Sequence, residues 1–362
     1  MINLTGNKGE WSEIYVFLRL LSIGKLYAAD ENLQKKYDVF FDIINIIRKE
    51  DIGLLEFNIN KSKKTIEVLI DQQEKPLLSI PQEVFQTHAD KLLQEIMSIK
   101  GSSFTVQSTQ LFLNELKIKT LKAKSDDKSD IRIKIHDINT GYEALQGFSI
   151  KSRLGSASTL INASKATTFI YKIDGQITDE IMEKFNKKEK FDEKAQILLL
   201  NNCFLSYFDM KNSIFKNNLL LIDADLPKIC AVMLEYSIVK GTKKITEILQ
   251  LLKKNNPLHY DLSHGHPFYE YKFKKFLTDS ALGMLPATTW NGIADATGGY
   301  IIVREDGEVL CYHLFNRNDF ENYLINSTKF DTPSTSRHDF GYIYKDKDTY
   351  YLNLNLQIRF IE

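Results

Sequence analysis

Residues 131–136 read Ile-Arg-Ile-Lys-Ile-His, an unbroken alternation of apolar and charged side chains. A period of two fits a half-buried β-strand. Asn139-Thr140-Gly141 follows, with the residue types that tight turns favour. Leu145, Phe148 and Ile150 then begin an apolar return strand. The spacing predicts a β-hairpin with its turn near residue 141. That register sets Asp130 across from Lys151, to within a residue or two. Asp137 falls near the tip, roughly 20 Å from Lys151 at about 3.3 Å per residue.

An acid and a lysine at the mouth of a hairpin can form a simple cross-strand salt bridge. They also suit metal-assisted phosphodiester hydrolysis. There a hard cation such as Mg²⁺ is held by carboxylates, and a lysine orients water or stabilises developing charge. One carboxylate is usually too few. The position where a second acid is expected carries Ser149. Glu10 and Glu13 lie one turn apart on a predicted helix over 8–23, and could supply the missing oxygen ligands. Asn7 is its expected N-cap and Glu10 the capping-box partner.

Formal net charge is zero, so any case for nucleic acid must be local. Ala144–Ile173 contains no acid but holds Lys151, Arg153, Lys165 and Lys172, a local charge of +4. Ser156 and Asn162 are among its hydrogen-bonding side chains, a mixture suited to phosphate contacts. A second basic, hydroxyl-rich stretch, Thr332–His338, contains Arg337 and His338. The last predicted strand, 350–360, alternates Leu and Ile with Asn353, Asn355, Gln357 and Arg359, whose side chains can reach base edges. His259, His264 and His266 have no convincing fourth partner for zinc.

The chain has 362 residues, enough for two or three lobes. Periodicity predicts helices over 37–49, 82–98, 228–239, 242–253, 268–282 and 318–325, with a helical stretch at 160–166. Strands are expected over 64–70, 167–173, 219–223, 300–303, 309–314 and 340–345. Cys203, Cys230 and Cys311 lie far apart in apolar settings and read as buried reduced thiols. No run approaches the length of a membrane span. A cytoplasmic protein is expected.

Four ordered segments together resemble the HpaII family of type II restriction endonucleases. They are Asn7–Glu13, Ser129–Ile133 continuing through Gly147–Ser156, Thr297–Val303, and Ser336–Gly341 with Leu354–Phe360. The resemblance implies an α/β fold with a PD-(D/E)xK restriction-endonuclease-like core, a mixed sheet flanked by helices, and additional α+β lobes. It implies Mg²⁺-dependent, site-specific cleavage of double-stranded DNA at a short palindrome, CCGG for the name-giving enzyme. Asp130 matches the first acid and Lys151 the lysine. Ser149 replaces the second acid, which points to Glu13 and Glu10 as further metal ligands beside Asp130. A homodimer and a cognate DNA methyltransferase are the implied partners. The expected division is 1–125, mainly helical and lending a helix to the site; 126–225, the nuclease core; and 226–362, an α+β region for DNA recognition. The alternative is a non-catalytic DNA-binding protein on a nuclease scaffold, with Ser149 marking a decayed site.

Overall fold

The computed structural model describes residues 4–123, 129–332 and 341–361. Helix α1 (Lys8–Ile23) leads into strands β1 (Lys25–Ala29), β2 (Lys35–Glu50), β3 (Gly53–Asn60), β4 (Thr65–Ile70) and β5 (Leu78–Pro81). Helices α2 (Gln82–Ser98) and α3 (Gln107–Glu115) precede the hairpin of β6 (Ile131–Asp137) and β7 (Tyr142–Ser152). Then come β8 (Thr159–Ile161), β9 (Thr168–Asp174), α4 (Asp179–Asn186), α5 (Phe191–Leu200), β10 (Phe204–Met210), α6 (Ser213–Ile222), α7 (Leu226–Val239), α8 (Ile245–Asn255) and α9 (Phe268–Leu282). The chain finishes with β11 (Gly299–Val303), β12 (Val309–His313), α10 (Arg317–Asn326), β13 (Thr328–Phe330), β14 (Ile343–Asp346), β15 (Thr349–Asn355) and β16 (Ile358–Phe360). The fold is mixed α/β.

Contacts group the chain into two units. The first runs to Ser158 and regains Ala294–Tyr323; the second comprises Thr159–Ile293 and Leu324–Ile361. Both are built from separated segments, where the sequence suggests consecutive blocks broken near 125 and 225. Pairing between distant strands is the reason. In the first unit β11 lies parallel to β7, with Tyr300 beside Ser149 and Ile302 beside Lys151. Linear composition carries no trace of such a pairing.

The first unit holds a nine-stranded sheet in the order β1-β12-β11-β7-β6-β2-β3-β4-β5. Strand β1 also pairs with β2, so six of the described strands close on themselves and β3–β5 extend outward. Ile131, Ile133 and Ile135 are buried, as their alternation predicts. They join one apolar core with Trp11, Ile14 and Leu18 of α1 and with Phe148 and Ile301 of the sheet. This burial seats α1 on the hairpin, since apolar area removed from water is the main favourable term. The second unit has a four-stranded sheet, β10-β9-β15-β14, and a three-stranded one, β13-β16-β8.

Several segments differ from their predicted form. Residues 37–49 are strand, not helix. The run is rich in β-branched and aromatic side chains, and β2 pairs with β1, β3 and β6. Residues 219–222 fall in helix α6 and Asp223 caps its end; the N-cap Asn212 accepts from the amide of Phe215 at 3.0 Å. A short apolar run alone does not separate strand from helix. Residues 160–166 contain the end of β8 and the start of a 3₁₀ turn over Lys165–Thr167, rather than a helix. The last strand is two, because the chain leaves one sheet at Asn355 and enters another at Ile358.

Candidate active site

The hairpin register is set by Ile131 pairing with Phe148 and Asp137 with Tyr142. Asp130 therefore stands opposite Ser149, two residues from Lys151. Its amide donates to the Phe148 carbonyl at 2.9 Å, which continues the ladder by one residue. Its Oδ2 accepts from the Ile150 amide at 2.7 Å and from Ser149 Oγ at 3.1 Å. These two donors fix the rotamer of Asp130. Asp137 has a separate task at the tip. Burial alone would raise its pKa, but the Asn139 amide and Thr140 hydroxyl, each 2.9 Å away, hold it below the usual range.

Helix α1 brings its glutamates to this hairpin with the predicted cap intact. Asn7 Oδ1 accepts from the Glu10 amide at 3.0 Å, and Glu10 Oε2 accepts from the Asn7 amide at 2.9 Å. Glu10 is thus occupied in capping. Glu13, one turn on, shares a small cavity with Asp130. Two contacts lock the helix to the end of β7. The hydroxyls of Ser12 and Ser152 are hydrogen bonded at 2.8 Å, and Lys8 Nζ donates to the Leu154 carbonyl at 3.2 Å. Ser12 adjoins Glu13 and Ser152 adjoins Lys151, so this lock constrains the spacing of Glu13 and Lys151.

Electrostatics tie the group together. Burial, reinforced by the charge of Asp130, pushes the Glu13 carboxyl up to about 8, against the pull of Lys122 and Arg48. Burial lowers the pKa of Lys151, and Lys122 adds to this, while Asp130 and Glu13 oppose it. The Lys151 ammonium also lies 5.6 Å from the centre of the Tyr300 ring. The shared cavity, about 10 Å³, is lined by Glu13, Arg48, Ala123 and Asp130 among others. That is room for about one water-sized particle. Among the described residues no group of three or more His, Cys, Asp or Glu side chains is placed to hold a metal. Two carboxylates crowded enough to raise one pKa nevertheless fit Mg²⁺, which commonly takes one or two protein carboxylates and completes its shell with water and phosphate. Sequence reasoning missed Arg48, Lys122 and Tyr300. Arg48 could be recognised only once residues 35–50 were known to be strand.

The remaining candidates are scattered. Arg153 donates its amide to the Val303 carbonyl at 2.9 Å, and Ser156 is exposed, both in the first unit. Asn162 and Lys165 are exposed in the second unit, so the acid-free segment is divided between the two. Arg337 and His338 lie outside the described residues. Asn355 is no base reader. It is fully buried, and Nδ2 donates to Ser164 O at 2.8 Å and Thr168 Oγ1 at 2.9 Å. Arg359 is paired with Asp331 at 3.0 Å, and Gln357 is half-buried beyond the change of sheet. The single polar face expected for 350–360 is broken by that change. All three cysteines are buried and free of disulfides, and no described helix is long and apolar enough to cross a membrane.

Comparison with known proteins gives the class: a restriction endonuclease, an enzyme that cuts DNA at specific sites. Residues 7–360 match the HpaII restriction endonuclease family, and the chain belongs to that family. It is 42% identical over 358 residues to the type II restriction enzyme HpaII of Haemophilus parainfluenzae, covering 99% of each chain. No solved structure matches it. The chain is accordingly a type II site-specific deoxyribonuclease, and the reading as a non-catalytic DNA binder gives way. Enzymes of this class generally need a divalent metal and act on double-stranded DNA.

Proposed function

We propose that this enzyme cuts double-stranded DNA at CCGG by Mg²⁺-dependent phosphodiester hydrolysis on a PD-(D/E)xK core. The observation that carries the reading is that Asp130, at the mouth of the hairpin, and Glu13, from helix α1, line one small cavity, and that the charges of both act on Lys151 near the end of β7. Antiparallel β2, β6 and β7 followed by parallel β11, with α1 packed against them, support the core assignment. CCGG is the target implied by the family resemblance.

Asp130 and Glu13 would hold the ion, Glu13 in place of the acid that Ser149 lacks. When bound, Mg²⁺ supplies positive charge that polarises the phosphate and favours ionisation of water. Ser149 Oγ and the Ile150 amide orient Asp130. Lys151, with its pKa lowered by burial, takes a proton from attacking water or donates to a phosphate oxygen. Glu10 serves the helix cap that aims Glu13. Arg153, Ser156, Asn162, Lys165, Gln357 and Arg359 are the proposed DNA contacts. A palindromic target suits a two-fold homodimer. A cognate DNA methyltransferase is the functional partner, and the buried, disulfide-free thiols support a cytoplasmic location.

The test is digestion of unmethylated plasmid with Mg²⁺, followed by sequencing of the ends. Discrete fragments ending within CCGG are expected, and Asp130→Ala and Lys151→Ala should each abolish cutting while binding is kept. Ends at another sequence would overturn the target, and an active Asp130→Ala enzyme would overturn the site.

A further inference from the structure

Arg48 and Glu50 sit two apart on β2, so their side chains share a face. Both are buried, at 6% and 4% exposure, and Arg48 Nε donates to Glu50 Oε1 at 2.6 Å. A buried ion pair recovers its desolvation cost only when its remaining groups are also bonded. Here those bonds go to one short stretch without helix or strand. The Arg48 guanidinium donates to the carbonyls of Thr120 and Leu121, the latter at 3.1 Å. Glu50 Oε2 accepts from the Lys119 amide at 3.0 Å. The pair grips Lys119–Leu121 by donors and acceptors alike.

What lies just beyond the grip gives it a consequence. Ala123 lines the same small cavity as Glu13, Asp130 and Arg48 itself. Lys122 is exposed, and its charge acts on both Glu13 and Lys151. We propose that Arg48, paired with Glu50, is a positioning residue that straps Lys119–Leu121 beside the acid pair, so that Lys122 brings a second lysine charge to receive the scissile phosphate. This rests on the reading of Asp130, Glu13 and Lys151 as the nuclease site. The hydrogen bonds of the strap involve none of those three side chains, although the Arg48 charge also acts on Glu13, so hydrogen exchange at the strap is the readout specific to it.

Removing Arg48 alone would strand the Glu50 charge in the core and destabilise the fold. The informative variant is therefore Arg48→Met with Glu50→Met, which removes both charges together. Three readouts are needed: hydrogen exchange of the metal-free protein, DNA affinity in Ca²⁺, and single-turnover cleavage in Mg²⁺. The expected result is faster exchange at the Lys119–Leu121 amides and cleavage slowed about 10- to 100-fold, the scale of a misplaced reacting group. DNA affinity should stay within about threefold, a shift of well under one kcal/mol. Unchanged exchange, or cutting at the parental rate, would overturn the strap. Lys122→Met covers the case in which the double variant does not fold. Being exposed, it should fold normally and cut about tenfold more slowly, and full activity would sink the proposal. Asp130→Ala run in parallel separates the two readings. If it remains active the site is misassigned, whereas if it is inert and Lys122→Met is fully active only the strap fails.

Discussion

Ser149 Oγ donates to Asp130 Oδ2 at 3.1 Å, so the position that lacks a second acid orients the first. Its hydroxyl acts together with the Ile150 amide, 2.7 Å from the same oxygen. Hydrogen bonds to a charged group contribute about 1.5–3 kcal/mol. Ser149→Ala should therefore slow cleavage by roughly tenfold without unfolding the protein, because the amide bond remains. Single-turnover rates at saturating Mg²⁺ measure this, and a rate equal to the parent's would remove Ser149 from the site.

Glu13 sets a pH dependence whose sign is opposite to that of a salt-bridged acid. Its folded pKa, about 8, lies above the ordinary value of 4.5. The folded state therefore holds the proton more tightly, and stability contributed by neutral Glu13 is lost as pH rises from about 4.5 through 8. Glu13→Gln should abolish cutting and yet stabilise the metal-free protein at pH 9, with little difference near pH 4. Urea midpoints at the two pH values test the sign, and destabilisation by Glu13→Gln at pH 9 would refute it.

His313 works in the other direction. It is fully buried, its Nδ1 accepts from the Phe315 amide at 3.1 Å, and its Nε2 lies 2.6 Å from Gln146 Oε1. Nδ1 being an acceptor, Nε2 carries the proton and donates. Burial lowers the pKa from 6.5 to about 4, against the opposing charge of Asp137. Stability is complete above about 6.5 and falls as pH drops through 4, by up to roughly 3 kcal/mol. His313→Leu should flatten stability over this window in urea titrations, and an unchanged slope would exclude His313 as its source.

Gly299 begins β11 with φ +105°, and a Cβ there would come 2.1 Å from the Tyr312 carbonyl oxygen. Strand β11 touches both β7 and β12. Gly299→Ala should cost at least about 2 kcal/mol from backbone strain alone. A thermal melt that matches the parent would mean that the β11–β12 pairing shifts freely.

The hairpin, the cap of α1 and helices such as 82–98 and 268–282 were legible because each is specified by neighbours in sequence. Register followed from the turn, which is why Asp130 rather than Asp137 lies near Lys151. Residues 37–49 form strand and 219–222 form helix, against expectation, because their apolar positions fit either period and the partners they meet decide the form. The polar face of 350–360 dissolved for a related reason. A change of sheet within a continuous alternation leaves no local mark, and Asn355 went inward to bond Ser164 and Thr168.

By itself, then, the sequence determined the strand carrying Lys151, the acid at its mouth and the helix carrying Glu13, all through periods and caps that act over a few residues. Tertiary structure alone decided that Glu13 and not Glu10 joins Asp130, that β11 lies beside β7, and that Arg48 reaches Lys119–Leu121. Those contacts join residues tens to hundreds of positions apart. Burial and pairing energies select them only in the assembled fold.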